Sequence, residues 1–273
     1  MSTPTSMLPA ELPDNDYADL EKALDNNQFQ MYIQFIYDIR KDSYVGVEAL
    51  SRWVHPEKGL VLPSEYIRDL HDCGLISRLD YQMLEKSCRL LEAWSNSNLG
   101  SLRVSCNFTR ITLGAPDFVS RFMNITGRYH FDPDNLVIEI TEDVAFDDTD
   151  AISNNISACR EAGFRVALDE LGAGYTSFND LCDYPVDIIK VDRCITRKVV
   201  TSKGKSFLRE MIKLAHHLGI GVLCEGVETE EERAAIREVG CDYIQGFYYS
   251  RALPVEEAVE EYRKSREGSR ETV

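Results

Sequence analysis

Eight polar residues of this chain sit inside or at the end of successive apolar runs, and their types suit one kind of chemistry. Glu48 lies in VGVEAL, Asn107 ends LRVSCN and Glu139 sits in LVIEIT. Asp169 and Glu170 end RVALDE, Lys190 lies in DIIKVD, Glu225 ends GVLCE and Gln245 ends YIQ. An ion buried without a partner costs several kcal/mol. Any one of these could be a satisfied core group; one or two in each successive run form a pattern. Oxygen ligands with few histidines suit hard cations, Mg2+ or Mn2+, rather than zinc. Several carboxylates and an amide can hold two such ions ~3.5–4 Å apart, an arrangement that clamps the attacking and leaving oxygens of a phosphodiester. A lysine beside them can position or deprotonate an attacking water and offset charge on the phosphate. The histidines stand outside this set: His216 and His217 fall in a helical pattern and read as surface or packing residues.

The elements that must position these groups follow from the periodicity. Short β-branched and apolar runs, MYIQFIYDI, YVGVEAL, LRVSCNF, NLVIEIT, FRVALDE, DIIKVD, IGVLCEG and YIQGF, read as strands. Between most of them lie 3.6-periodic segments such as LDYQMLEKSCRLLEAW, ISNNISACREAG, KGKSFLREMIKLAHHLG and EEERAAIREVG. Gly163, Gly219 and Gly240 stand where helices should end. The alternation predicts a parallel sheet with right-handed crossovers. Repeated over this length, it predicts an α/β fold of the modified (β/α)8 TIM-like type. The first two runs are joined by RKDS, too short for a helix, so one antiparallel strand is expected near the N-terminus. In a barrel the C-terminal strand ends converge on one face, where active sites form.

The chain's 273 residues are ordinary for one such barrel. The expected division is a disordered leader or linker at 1–16, one domain at 17–265 and a loose tail at 266–273. A net charge of −16 argues against gripping duplex nucleic acid by its phosphates, which needs the opposite sign. No apolar stretch approaches the ~20 residues of a membrane span, and the leader lacks the apolar core of a signal peptide. The 8 cysteines include no CxxC pair, and several lie in apolar runs, so they read as structural thiols in a reducing cytoplasmic setting.

These residues carry a family likeness. Glu48-Ala49-Leu50 within VGVEALSRW resembles the signature of EAL domains, the cyclic di-GMP phosphodiesterases. Asn107, the ExTE of Glu139 to Glu142, KVD at Lys190 to Asp192, EGVET at Glu225 to Thr229 and QGFYYSR at Gln245 to Arg251 follow in the family's order. The resemblance implies that Glu48, Asn107, Glu139 and Asp169 bind one metal, Asp169 being shared, while Glu170 and Glu225 serve a second. It implies that Lys190 holds the catalytic water and that Gln245 fixes the metal–water network. Glu48, Glu225, Lys190 and Gln245 then form the catalytic set. Substrate contacts would come from Gln34, Leu50, Arg52, Asp192, Glu228 and Arg251, and Glu142 would support the loop after Asp169. The implied reaction is in-line attack of a metal-bound hydroxide on cyclic di-GMP, giving linear pGpG. A homodimer, and a sensor or GGDEF domain in a longer parent protein, are further implications.

The chain departs from the family pattern in places. Where the family reads DDFGTGYSS, this chain reads Asp169-Glu170-Leu171-Gly172-Ala173-Gly174-Tyr175-Thr176-Ser177. Glu170 is one methylene longer than aspartate, enough to shift the second metal. Phe35 and Ala252 replace prolines that usually follow Gln34 and Arg251, changes expected at the ligand rim. These departures motivate an alternative: a weak or inactive cyclic di-GMP receptor that signals to a protein partner. An interaction module that has lost the ligand is a third reading, opposed by Arg52 and Gln245.

Overall fold

The computed structural model describes residues 14–141, 149–172 and 180–270. Eight strands close into a barrel: β1 (Phe29–Asp38), β2 (Ser43–His55), β4 (Arg103–Phe108), β5 (Leu136–Ile140), β6 (Arg165–Leu171), β7 (Ile188–Val191), β8 (Gly221–Cys224) and β9 (Tyr243–Ile244). From β2 to β9 the staves run parallel. β1 closes the ring and is antiparallel to both neighbours, β2 and β9. The short RKDS connection forces this, because a parallel return needs a crossover of a dozen residues or more. Two short strands the periodicity did not single out, β3 (Gly59–Val61) and β10 (Leu253–Pro254), extend the sheet outside the ring.

The longer helices follow their apolar stripes. Ahead of the barrel lies α1 (Asp14–Asp25), and after β3 come α2 (Ile67–Asp72) and α3 (Ile76–Ser95). Along α3, Leu79, Met83, Leu84, Cys88, Leu91 and Trp94 are buried, the spacing of one helical face. Two helices, α4 (Arg110–Leu113) and α5 (Phe118–Thr126), fill the β4–β5 crossover, and α6 (Thr149–Glu161) fills the next. Among the described residues of the β6–β7 connection lies the single turn α7 (Asp180–Asp183). Then follow α8 (Arg193–Thr196), α9 (Ser202–His217), α10 (Glu230–Val239) and α11 (Val255–Arg270).

Helix α10 carries the whole set of terminal signals. Thr229 accepts from the Glu232 amide while the Glu232 carboxylate accepts from the Thr229 amide, a reciprocal capping box. Gly240 ends it at φ 85°, a left-handed value a side chain would oppose. All eight cysteines are free thiols. Among the described residues no helix is long and apolar enough to cross a membrane.

Candidate active site

Successive side chains on a strand point to opposite faces, so alternate residues of every stave enter the barrel. Register then places them at matching heights: Gln34 lies opposite Glu48 across β1–β2, and Asn107 opposite Glu139 across β4–β5. At the centre stands Lys190, of which 1% is exposed. Its Nζ lies 2.9 Å from Glu139, 3.0 Å from Glu225, and 3.2 Å from both Glu48 and Asp169. Four strands thus deliver four carboxylates to one ammonium. With all four ionised, the cluster holds a surplus of three negative charges around that single lysine.

The electrostatics record this surplus. Burial pushes the Glu139 carboxyl up to about 8; Lys190 opposes the rise, and Glu48 and Asp169 reinforce it. Burial likewise raises Asp169 and carries Glu225 well above the ordinary carboxylate range. Glu48 goes the other way. Burial would raise it, but Lys190 and hydrogen bonds from Asn107, Gln245 and Lys190 outweigh that and hold it low. Burial also opposes charge on Lys190, yet Asp169, Glu139, Glu225 and Glu48 together hold its ammonium well above the usual lysine range. A dry site this rich in carboxylate asks for further positive charge.

The amides around the cluster fit that demand. Asn107 Nδ2 donates to Glu48 Oε1 at 2.9 Å, and Gln245 Nε2 donates to Glu48 Oε2 at 2.7 Å and to Gln34 Oε1 at 3.0 Å. Gln34 in turn donates to the Ser250 carbonyl at 3.0 Å. Both donors thereby aim the other end of their amide elsewhere. Asn107 Oδ1 and Gln245 Oε1 are buried without a hydrogen-bond partner among the described residues. Unsatisfied buried oxygens are costly and call for an occupant. Glu48, Glu139 and Asp169 each bring a carboxylate oxygen within 4.8 Å of the others, so an ion there would find three carboxylates, with the Asn107 amide bonded to one of them. That donor set fits a hard divalent cation.

Glu170 occupies a different setting. Pairing between β6 and β7 breaks between Leu168 and Leu171, and at the break Glu170 has φ 53°. The bulge turns Glu170 outward and leaves Asp169 facing Lys190, its carboxylate accepting from the Glu170 amide at 2.9 Å. Aspartate and asparagine tolerate this left-handed region better than glutamate does.

Above the cluster opens a cleft of ≈ 290 Å3 that brings together Gln34, Glu48, Leu50, Asp169, Glu170, Glu225, Glu228 and Gln245. A second compartment of ≈ 270 Å3 adjoins it across Leu50 and Glu170 and includes Asn107. Three of the expected substrate contacts stand outside both. Arg52 donates to the Ser51 carbonyl at 2.8 Å and lies over the Tyr32 ring. Asp192 caps α8 by accepting from the Cys194 amide at 2.7 Å. Arg251 is exposed, its guanidinium 4.7 Å from the Phe247 ring centre. Glu142 and Ala173 lie outside the described residues.

Phe35 corrects an expectation. It does not touch the ligand rim: its ring points away from Gln34, buried against Tyr44 and stacked on Tyr262 at 5.4 Å. Its amide donates to Ser250 Oγ at 3.0 Å, a bond proline cannot make. The sequence reasoning also missed cleft residues. Arg193 and Phe247 line the first compartment and Asp80 the second. Arg193 directly follows the KVD motif and Phe247 lies within QGFYYSR; Asp80 sits in a helical pattern where a single aspartate gives no signal.

The sequence pattern of the EAL domain matches residues 17–252. The chain is 30% identical over 247 residues to the cyclic di-GMP phosphodiesterase RocR of Pseudomonas aeruginosa, covering 90% of this chain and 62% of that protein. It is 28% identical over 240 residues to the bifunctional diguanylate cyclase/cyclic di-GMP phosphodiesterase MucR of the same species, covering 88% and 35%. Among solved structures, the PaMucR phosphodiesterase in its c-di-GMP complex superposes with a TM-score of 0.82 at 27% identity, covering 89% of this chain and 99% of that one.

Proposed function

From the chain's membership of the EAL domain family, we propose that it is a metal-dependent phosphodiesterase that hydrolyses cyclic di-GMP to linear pGpG. The observation that carries this reading is the cradle of four carboxylates on one buried lysine, with two orphaned amide oxygens beside it. Glu48, Asn107, Glu139 and Asp169 would hold one Mg2+ or Mn2+, and Asp169, Glu170 and Glu225 a second. When bound, the ions supply neutralisation of phosphate charge and acidify a water that attacks phosphorus.

The chain's own residues do the rest. Lys190 orients the attacking water by donating to it. Gln245, braced by Gln34, keeps Glu48 in place. Leu50 lies in the floor shared by the two compartments and packs against the nucleotide, while Glu228 borders the first. Arg52 contacts a phosphate after turning from the Ser51 carbonyl, and Asp192 and Arg251 act from the rim. Water adds to one phosphorus in line, the bond to the 3′ oxygen breaks, and the product keeps a 5′ phosphate and a 3′ hydroxyl.

The left-handed φ of Glu170 favours a second reading, a cyclic di-GMP receptor with little turnover. The chain spans 62% of RocR and 35% of MucR, so a sensor or GGDEF partner domain, a homodimer and a cytoplasmic setting belong to this proposal. Metal-dependent turnover of the parent protein separates the two readings, and Glu48→Ala and Lys190→Ala test the site. In the enzyme both abolish pGpG formation, measured by chromatography, while the parent protein turns over. Ligand binding by calorimetry with no turnover in the parent protein would establish the receptor instead.

A further inference from the structure

We infer that Asp80 is a positioning residue that fixes the direction of Asn107 toward the metal. This rests on the reading of Asn107 as a metal ligand. Asp80 comes from α3, outside the barrel, and is buried at 6% exposure. Its Oδ2 accepts from the Thr109 amide at 3.1 Å, from Thr109 Oγ1 at 2.8 Å and from Thr112 Oγ1 at 2.6 Å. Thr112 also donates to Ser77 Oγ at 2.8 Å, so the N-terminal part of α3 holds α4 through Asp80 and Ser77. Thr109 is the residue at which β4 leaves the barrel, two positions beyond Asn107.

The other side of the same exit is fastened too. The Phe108 carbonyl accepts from both the amide and the hydroxyl of Thr141, at 3.1 Å each. Asn107 therefore sits on a strand end clamped from both flanks. Its Nδ2 holds Glu48 at 2.9 Å, which leaves its buried Oδ1, without a partner among the described residues, with one direction to point. Asp80, Asn107, Thr109 and Thr141 line one compartment, so the clamp faces the site. Groups that orient a metal ligand without touching the metal commonly govern affinity by ~10–100-fold. A carboxylate fits this task because one charged oxygen accepts three bonds at once, each stronger than a neutral amide oxygen in its place would accept.

The test is Mn2+ binding by calorimetry to the folded protein in a double-mutant cycle of Asp80→Asn and Asn107→Ala, with thermal melting of each variant. Thr109→Val, which removes one bond to Asp80 from the far side, serves as a second variant should Asp80→Asn fail to fold. Asp80→Asn weakens Mn2+ about 10-fold, and in the Asn107→Ala background it weakens Mn2+ no further, because its effect passes through Asn107. Thr109→Val shows the same dependence on background with a smaller loss. Unchanged Mn2+ affinity in folded Asp80→Asn, or an equal loss in both backgrounds, overturns the inference and leaves Asp80 as a staple between α3 and β4. Unchanged affinity in Asn107→Ala alone overturns the reading of Asn107 as a ligand, and this inference with it.

Discussion

At the scale of single residues, the site is a charge problem that the protein alone leaves unsolved. Glu139 has its carboxyl raised from 4.5 to about 8, so between those values the folded chain holds a proton the unfolded chain has lost. Stability of the metal-free protein therefore falls as pH rises through that window, the opposite of an ordinary salt-bridged carboxylate. Melting metal-free protein from pH 5 to 8 checks this: Glu139→Gln flattens the slope, and Mn2+ raises the melting temperature more at pH 8 than at pH 6, because ligands must shed protons to bind. Glu170→Asp relieves the left-handed strain and shortens the reach. It raises turnover by between ~3-fold and ~100-fold, the upper figure being the cost of a ~1 Å misplacement; lower turnover in that variant would refute the assignment of Glu170. Which residues the barrel gathers around Lys190 was legible because charge inside an apolar run is conspicuous. The direction of Phe35 was not, since a residue next to Gln34 points the other way and only pairing with Tyr44 and Tyr262 reveals what it meets.

At the scale of elements, the barrel strands and the helices α1, α3, α6, α9 and α10 were legible from period alone, whereas α11 was not singled out. The antiparallel β1 followed from a connection too short for a crossover. β3 and β10, with three and two residues, carry too little pattern to be read, and the clamp of α3 on α4 needs tertiary contact to appear. The turns that shape the cleft are exacting. Gly226 has φ 66°, and a Cβ there would lie 2.4 Å from the Cβ of Arg193, its neighbour in the cleft wall. Gly59 has φ 73° with nothing within 4 Å. Gly59→Ala costs about 1–2 kcal/mol for the left-handed backbone. Gly226→Ala costs more because Arg193 must also move, and urea unfolding of the two variants measures the difference. Equal losses would mean that the wall yields freely.

At the scale of the whole molecule, one eight-stranded ring gathers residues spread from Gln34 to Gln245 into a single mouth, on a chain whose net charge is −16. A phosphate ester approaching that surface gains nothing from the protein's overall field. On the proposed reading, the barrel holds carboxylates close enough to draw in divalent ions, which would then make the mouth attractive to phosphate. The closed ring and the face of the site were legible from the order of strand ends; the cleft's second compartment was not, because α3 supplies its far wall. The most direct measurement is formation of pGpG from cyclic di-GMP, followed by chromatography with Mg2+ or Mn2+ and with EDTA. The expected result is pGpG with metal and none with EDTA. Absence of product with either metal, or turnover that survives EDTA, would contradict a metal-dependent phosphodiesterase.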